Sequence, residues 1–271
     1  MREVLVSEGG FDLPLIQSAA IGDGFRHGFT TRRGGVSAGP FESLNLGGKW
    51  GDMPAHVAEN QRRLGIAAGH RRPFFATQVH GADSAWVTRD AALQDVAPMR
   101  ADALITATPG IALGVYVADC VPVLIADVRS GACAAVHAGW RGTVAGVLAS
   151  ALRRMVAEQG SQLSDLRVAI GPAIGPCCFE VGPEVVVAVE TTFPMAHAAA
   201  AILPAGAAGR RRPHVDLWTL NRLAAESAGV SPGAIDVAGA CTHCDPGRFF
   251  SYRRDRGSTG QMVAFIVCDR G

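Results

Sequence analysis

Short apolar runs separated by turn residues dominate the middle of the chain. Four of them, at residues 103–106, 111–118, 121–128 and 132–136, predict strands, because each run is brief, apolar and bounded by turn residues. The connections between them are too short for a crossover helix, so antiparallel hairpins are favoured. Asp119 and Cys120 are accordingly predicted to lie in a hairpin turn.

In other parts of the chain, apolar residues recur every three or four positions, as on one face of a helix. This spacing predicts helices at residues 54–66, 142–159, 183–192 and 216–228, the second ended by Gly160. Further strands are predicted at residues 73–80, 85–88, 166–170, 234–238, 249–252 and 262–267. With no repeat and no clear linker, we expect one α+β domain over residues 1–271, with helices outside layered sheets.

Composition narrows the class of protein and the class of partner. The chain has 271 residues, of which 48% are hydrophobic and 18% charged, and its net charge is +1. This balance favours a large core and disfavours a general electrostatic grip on nucleic acid or anionic membrane, so we expect neither partner. Residues 1–10 lack the apolar core of a secretory leader. We therefore expect a reducing cytoplasm, in which the seven cysteines are core residues, metal ligands or catalysts.

Three metal-capable side chains occur at predicted strand ends. His80 ends one strand, His137 ends another beside glycines, and Cys120 lies in the turn between them. Two histidines and a cysteine suit zinc with an open fourth position. The spacing is far from that of a zinc finger, so residue pattern alone leaves unrelated polar residues as an alternative. A second alternative is a Cys120 nucleophile activated by His137.

Two further cysteine motifs are less specific. A rigid loop with two Gly-Pro pairs carries Cys177, Cys178 and Glu180, either toward a cleft or as a structural turn with buried thiols. The motif from Cys241 to Cys244 is half of a zinc site or a redox pair. A second CxxC is missing, and the adjacent Cys177 and Cys178 are expected to be poor geometry for the other half.

Arginines and aromatics near the C-terminus suggest anion and base recognition. The segment FFSYRRD at 249–255 offers rings to stack a base and arginines to hold a phosphate. Strand alternation predicts that Arg253 and Arg254 point to opposite faces. Arg141 is another candidate, because it lies beside His137 at a predicted helix start.

Seven segments in order along the chain resemble the YfiH/LACC1 family, also called the laccase-domain or multicopper-polyphenol-oxidase-like family. The similar segments are SLNLG at 43–47, QVHGAD at 78–83, ADA at 101–103, ADCVPV at 118–123, VHAGWRG at 136–142, the loop at 170–182 and FSYRRD at 250–255. The resemblance implies a four-layer α/β/β/α arrangement with mixed, largely antiparallel sheets. It also implies a zinc site made by His80, Cys120 and His137.

The activity implied by the resemblance is purine nucleoside phosphorolysis. Adenosine, inosine and S-methyl-5′-thioadenosine would react with phosphate to give the base and a ribose 1-phosphate, with adenosine deamination at the same site. Asp83 and Arg141 join the three zinc ligands as candidate catalytic residues. The candidate substrate-binding residues are Asn45, Glu180, Arg253 and Arg254.

Other functions remain open at this stage. A His/Cys/His site also binds copper, but eight histidines without an HxH pair argue against a four-copper phenol oxidase. A peptidoglycan-precursor editing hydrolase and a non-enzymatic regulatory protein stapled by zinc are the remaining alternatives. The oligomeric state is open, with a monomer favoured.

Overall fold

Strands and helices are interspersed along residues 1–206 and 209–269, the part of the chain that this computed structural model describes. The strands are β1 Arg2–Glu8, β2 Phe11–Gln17, β3 Phe25–Thr30, β4 Ser84–Trp86, β5 Ala103–Thr106, β6 Ala112–Val117, β7 Val121–Asp127, β8 Cys133–Ala138, β9 Leu166–Ile170, β10 Ile202–Leu203, β11 His214–Val215, β12 Ile235–Val237 and β13 Met262–Cys268. The α-helices are α1 Pro54–Ala67, α2 Leu93–Val96, α3 Trp140–Ala145, α4 Val147–Gln159, α5 Pro183–Thr192, α6 Leu217–Ser227 and α7 Tyr252–Asp255. None of these described helices is long and apolar enough to cross a bilayer.

Two large sheets organise the fold. The first has strand order β1-β2-β3-β13-β6 and is antiparallel throughout. The second has order β12-β9-β7-β8-β5-β4, and only its two outermost pairs are parallel. The prediction of mixed, largely antiparallel sheets is confirmed.

Apolar side chains fill the space between the two sheets. Leu104, Leu124 and Ala135 of the second sheet share one buried cluster with Ala264 and Ile266 of the first. Successive residues of a strand point to opposite faces of the sheet. A strand that is buried on both faces therefore has a continuous run of apolar residues in the sequence.

Helices cover the outer face of each sheet. On the second sheet, Leu148 and Leu152 of α4 and Leu220 of α6 belong to one buried cluster with Val123 and Ile125 of β7. On the first sheet, a smaller cluster includes residues of α1, β2 and β13. The α/β/β/α layering implied by the resemblance is therefore confirmed. The assignment of residues 1–271 to one domain stays a prediction, and positions 207, 208, 270 and 271 lie outside the described residues.

Two of the three predicted hairpins are wrong. The β7–β8 hairpin is present, but β6 pairs with β13 in the first sheet, whereas β5 and β7 lie in the second. Asp119 and Cys120 therefore cross from one sheet to the other instead of turning within a hairpin. β6 and β7 are apolar on both faces, so the sequence pattern did not indicate which strand each of them would pair with.

Two other predicted strands are also wrong. Residues 73–80 form only isolated bridges, and the side chain of Gln78 takes the place of a strand partner by bonding both backbone groups of Tyr116. Residues 249–252 are not extended into a strand, because the Ser251 hydroxyl accepts a bond from the amide of Arg254 and starts α7. The long helix predicted at 142–159 is divided into α3 and α4 at Gly146, whose φ is +82°.

Candidate functional site

His80, Cys120 and His137 come together in the structure. Their ligand atoms all lie within 4.8 Å of one another. The Cys120 sulfur is 3.9 Å from His80 Nε2, and the two imidazole rings meet edge to face with centroids 4.9 Å apart. The fold thus assembles the trio that the sequence singled out, from positions that are distant along the chain.

Each of the three side chains is positioned by a different kind of local structure. His137 lies within β8 and is buried, with 3% of its surface exposed. Cys120 is half-buried just before β7, at the crossing between the sheets. His80 is exposed at the end of an irregular loop and has a positive φ of 61°. The cluster therefore has a buried side and an open side.

The buried carboxylate of Asp102 holds two of these segments together. It accepts bonds from the amides of Val79, His80 and Gly81 at 2.8–3.0 Å, and it pairs with His137 Nδ1 at 2.7 Å. With Nδ1 engaged, Nε2 is the nitrogen that His137 offers to a metal. The hydrogen bond between Asp102 and His137 was not predicted from the sequence. The position of Asp102 directly before the apolar strand β5 was the one feature that pointed to a buried carboxylate.

Cys120 and His137 shift each other's pKa in opposite directions. Burial raises the pKa of Cys120, but the charge and hydrogen bonds of His137 and His80 outweigh it and lower that pKa to about 6. Burial lowers the pKa of His137, but Cys120 and Asp102 outweigh it and raise that pKa to about 9. Burial also raises the pKa of Asp102, and its hydrogen bonds lower it overall. The neighbouring histidines therefore favour the thiolate of Cys120, the form that binds metals and acts as a nucleophile.

The residues fit a tetrahedral metal. Ideal zinc bond lengths to sulfur and nitrogen put these two ligands about 3.6 Å apart, close to the separation of Cys120 and His80. Space is kept by Gly139, where a Cβ would lie 2.9 Å from the Cys120 sulfur and 3.0 Å from His80 Cδ2. The donor set of one sulfur and two nitrogens is compatible with zinc and with copper.

Asp83 and Arg141 lie close to these ligands in the chain and are exposed. The backbone carbonyl of Asp83 accepts bonds from the amides of Asp102 and Ala103. Arg141 lies in α3 with its guanidinium 4.3 Å over the Trp140 ring. Within the described part of the chain, that guanidinium forms no hydrogen bond or ion pair, so its donors are available to an anion.

Arg253 and Arg254 differ in how their guanidinium groups are used. That of Arg253 is exposed and donates to the carbonyl of Glu180, whose exposed carboxylate is 3.8 Å from Arg212. That of Arg254 is engaged by Asp255 and by backbone carbonyls, including that of Thr242. The strand-based prediction of opposite faces is wrong because these residues are helical.

The aromatic residues predicted to stack a base are mostly unavailable. Phe249 and Phe250 are fully buried, since both belong to the core between the sheets. Tyr252 is 53% exposed and pairs with Trp50, with ring centroids 5.8 Å apart. Only Tyr252 of the three predicted rings is thus open to a ligand.

The side chain of Asn45 is buried and engaged. Its amide nitrogen donates to Gly47 and Asp52, and its oxygen accepts bonds from the amides of Gly47 and Gln261. These contacts make Asn45 an organiser of its own loop, while its predicted contact with substrate stays a prediction.

Asp119 is a second buried carboxylate that sequence reasoning did not assign. With a φ of +85°, it accepts bonds from the hydroxyls of Thr242 and Ser251 and from the amide of Arg253. It therefore ties the segment before Cys120 to the C-terminal loops.

Comparison with known proteins gives the family of this chain. Residues 26–269 match the family described as multi-copper polyphenol oxidoreductase laccase. The chain belongs to this family. The resemblance to the YfiH/LACC1 family is also confirmed, because the relatives that match this chain include members of that family.

Two curated relatives and one solved structure illustrate the match. The purine nucleoside phosphorylase YlmD of Geobacillus stearothermophilus is 41% identical over 246 residues, which is 88% of each chain. The purine nucleoside phosphorylase YfiH of Escherichia coli (strain K12) is 41% identical over 239 residues, covering 88% of this chain and 91% of the relative. The crystal structure of YlmD from Geobacillus stearothermophilus superposes with a TM-score of 0.86 at 36% identity, covering 99% of this chain and all of that one.

Proposed function

We propose that the protein is a zinc-dependent purine nucleoside phosphorylase. Its substrates would be adenosine, inosine and S-methyl-5′-thioadenosine with phosphate, and adenosine deamination would occur at the same site. The observation that carries the proposal is the cluster of His80, Cys120 and His137, found in a chain whose relatives are named purine nucleoside phosphorylases. A cytoplasmic location and a monomeric state stay predictions.

In this proposal the three clustered side chains hold zinc, with copper as the alternative metal. A zinc ion held by these residues would supply a Lewis acid. Asp102 fixes the His137 ring and the backbone around His80, so the ligands keep their places when substrate enters. The exposed side of His80 is where a nucleoside would approach.

Phosphorolysis breaks the bond between C1′ and the purine nitrogen and forms a bond between C1′ and a phosphate oxygen. Phosphate must be held against C1′ while positive charge develops on the ribose. Arg141 and Arg253 are proposed for this task because their guanidinium groups are exposed, whereas that of Arg254 is engaged internally. The departing purine needs an acid or a polarising group, and the exposed side chains of Asp83 and Glu180, or the zinc itself, are the candidates for this role.

A substrate panel with and without phosphate tests the reaction. We expect adenine release from adenosine and methylthioadenosine, hypoxanthine release from inosine, and dependence on phosphate in each case. Inosine formation from adenosine tests deamination separately. Phosphate-independent release would indicate a hydrolase. Cleavage of a cell-wall precursor with no base released from any nucleoside would favour peptidoglycan editing.

Matched arginine variants test the phosphate contact. Arg141→Gln should raise the KM for phosphate about tenfold or more, since a charged hydrogen bond contributes roughly 1.5–3 kcal/mol. Arg153→Gln is the control, because Arg153 is exposed on α4 and outside the proposed site. An unchanged KM for phosphate in Arg141→Gln would remove this residue from the proposal.

A further inference from the structure

Four cysteines form a second cluster with none of the ligands of the first. The sulfur atoms of Cys177, Cys178, Cys241 and Cys244 all lie within 4.8 Å of one another. That of Cys244 is 3.5 Å from Cys177 and 3.3 Å from Cys178. The prediction that adjacent cysteines are poor partners for the CxxC motif is wrong, because the loop after β9 turns both of them toward it.

Backbone contacts bring the two cysteine loops together. Ala173 and Cys241 form an isolated parallel bridge, and the amide of Thr242 donates to the carbonyl of Ala173 at 3.0 Å. The amide of Gly175 donates to the Cys241 sulfur at 3.2 Å. An amide bond to sulfur stabilises the thiolate, so one of the four sulfurs is already prepared as a ligand.

The distances match one tetrahedral metal better than a pair of disulfides. With zinc–sulfur bonds of about 2.3 Å, tetrahedral geometry puts the sulfurs about 3.8 Å apart. The separations of 3.3 Å between Cys178 and Cys244 and 3.5 Å between Cys177 and Cys244 are well beyond the roughly 2.05 Å of a disulfide. Four thiolates in mutual reach are also a donor set that zinc, a redox-inert tetrahedral cation, accepts and that magnesium and calcium do not.

We propose that Cys177, Cys178, Cys241 and Cys244 bind a second zinc ion as a closed structural site. Four protein ligands leave no position for substrate, so this ion would not react. Thr242, between two of the ligands, donates its hydroxyl to Asp119 at 2.6 Å, next to Cys120. The metal would therefore hold the loop that positions Cys120 from outside the His80 site.

Zinc content measured on reduced full-length protein tests the proposal. We expect two equivalents in the wild type, one in Cys120→Ala and one in Cys241→Ser/Cys244→Ser. Cys268→Ala is the matched control, since this cysteine lies in β13 outside both clusters, and it should keep two. The proposal is independent of the phosphorylase reaction, because one equivalent retained in Cys120→Ala supports it whether or not a nucleoside is cleaved.

Cobalt provides a second measurement that needs no change in the cluster. Metal-stripped, reduced Cys120→Ala protein should bind one Co²⁺ with the intense visible absorption of a tetrahedral tetrathiolate centre. Zinc should abolish that absorption at one equivalent. The proposal would be overturned if Cys120→Ala protein contained no zinc as purified and showed no such absorption after Co²⁺ was added. A disulfide from Cys244 to Cys177 or Cys178 that persists in reductant would also overturn it.

Discussion

At the scale of single residues, Asp102 links the two histidines of the candidate site. It has no exposed surface, and its four bonds reach both the loop of His80 and the ring of His137. Partners of this kind fix the tautomer and orientation of a metal-binding imidazole. The geometry of the site therefore depends on a residue that would not touch the metal.

Replacing Asp102 by asparagine should weaken metal binding without removing a ligand. The new amide group presents donors to backbone amides or to His137, so we expect zinc affinity to fall 10–100-fold. Competition with a chromophoric chelator measures this. Asp127→Asn is the control, because Asp127 is equally buried and accepts amides of Arg129 and Ser130. Equal zinc affinity in both variants would contradict the role given to Asp102.

Gly139 offers a steric test of the same site. Its φ of −63° suits alanine, but the added Cβ would lie 2.9 Å from the Cys120 sulfur. We expect Gly139→Ala to lose zinc affinity about tenfold or more because ligand geometry is displaced. Gly48→Ala should bind zinc normally, since no atom lies within 4 Å of its added Cβ. Normal zinc binding in both variants would show that this space is not needed.

At the scale of elements, α1 supports the loop that contains Asn45. The amide of Asn60, fully buried in α1, donates to Ser37 and to the carbonyls of Ser43 and Asn45. On the outer side of the helix, Glu59 pairs with Arg62 and Arg63 at helical spacing. These pairs stabilise the helix that holds the loop in place.

Acid should weaken α1 through Glu59. Hydrogen bonds from Arg62 and Arg63 lower the pKa of Glu59 from 4.5 to about 2. The folded-state pKa is thus below the unfolded one, so this stabilisation is present above pH 4.5 and disappears as the pH falls toward about 2. Because the pairs are near the surface, we expect less than about 1 kcal/mol.

Denaturant unfolding between pH 2 and pH 6 measures this contribution. Glu59→Gln should be less stable than the wild type at pH 6 and should approach it at pH 2. An Arg62→Gln/Arg63→Gln variant serves as the matched control and should show the same convergence. If the Glu59→Gln difference were constant over the range, ionisation of Glu59 would not be its cause.

Sequence patterns predicted elements better than they predicted the partners of those elements. The α5 helix and the β5 and β9 strands have the predicted bounds, because apolar periodicity and flanking turn residues act locally. The pairing of β6 with β13 depends on which apolar faces meet in three dimensions. Likewise, His80, Cys120 and His137 were singled out by residue type and do come together, whereas the contacts of Asp102 and the four-cysteine cluster depended on loop geometry that no spacing reveals.

At the scale of the whole molecule, the packing between the sheets holds the site's elements in register. Cys120 precedes β7 and His137 lies in β8, both in the second sheet, and their inward residues pack on the first sheet. Leu124 is fully buried there, with Ala135 and Ala169 beside it in register. Loss of this packing would loosen both strands together.

Leu124→Ala should lower the free energy of unfolding by about 2–5 kcal/mol, since it leaves a cavity between two well-packed sheets. Denaturant unfolding measures the loss. Leu5→Ala is the comparison, because Leu5 is 60% exposed and should change stability by less than about 0.5 kcal/mol. Similar values for the two variants would contradict this account of the inter-sheet core.

The position of β13 has a consequence for protein synthesis. This strand, the last one described, lies between β3 and β6 and is paired to both. Until residues 262–268 have left the ribosome, no strand joins β3 to β6, and the first sheet lacks the strand that contributes Ala264 and Ile266 to the core between the sheets. The apolar residues of these strands therefore stay exposed on the nascent chain until then, and we expect chaperone binding to be strongest in this period.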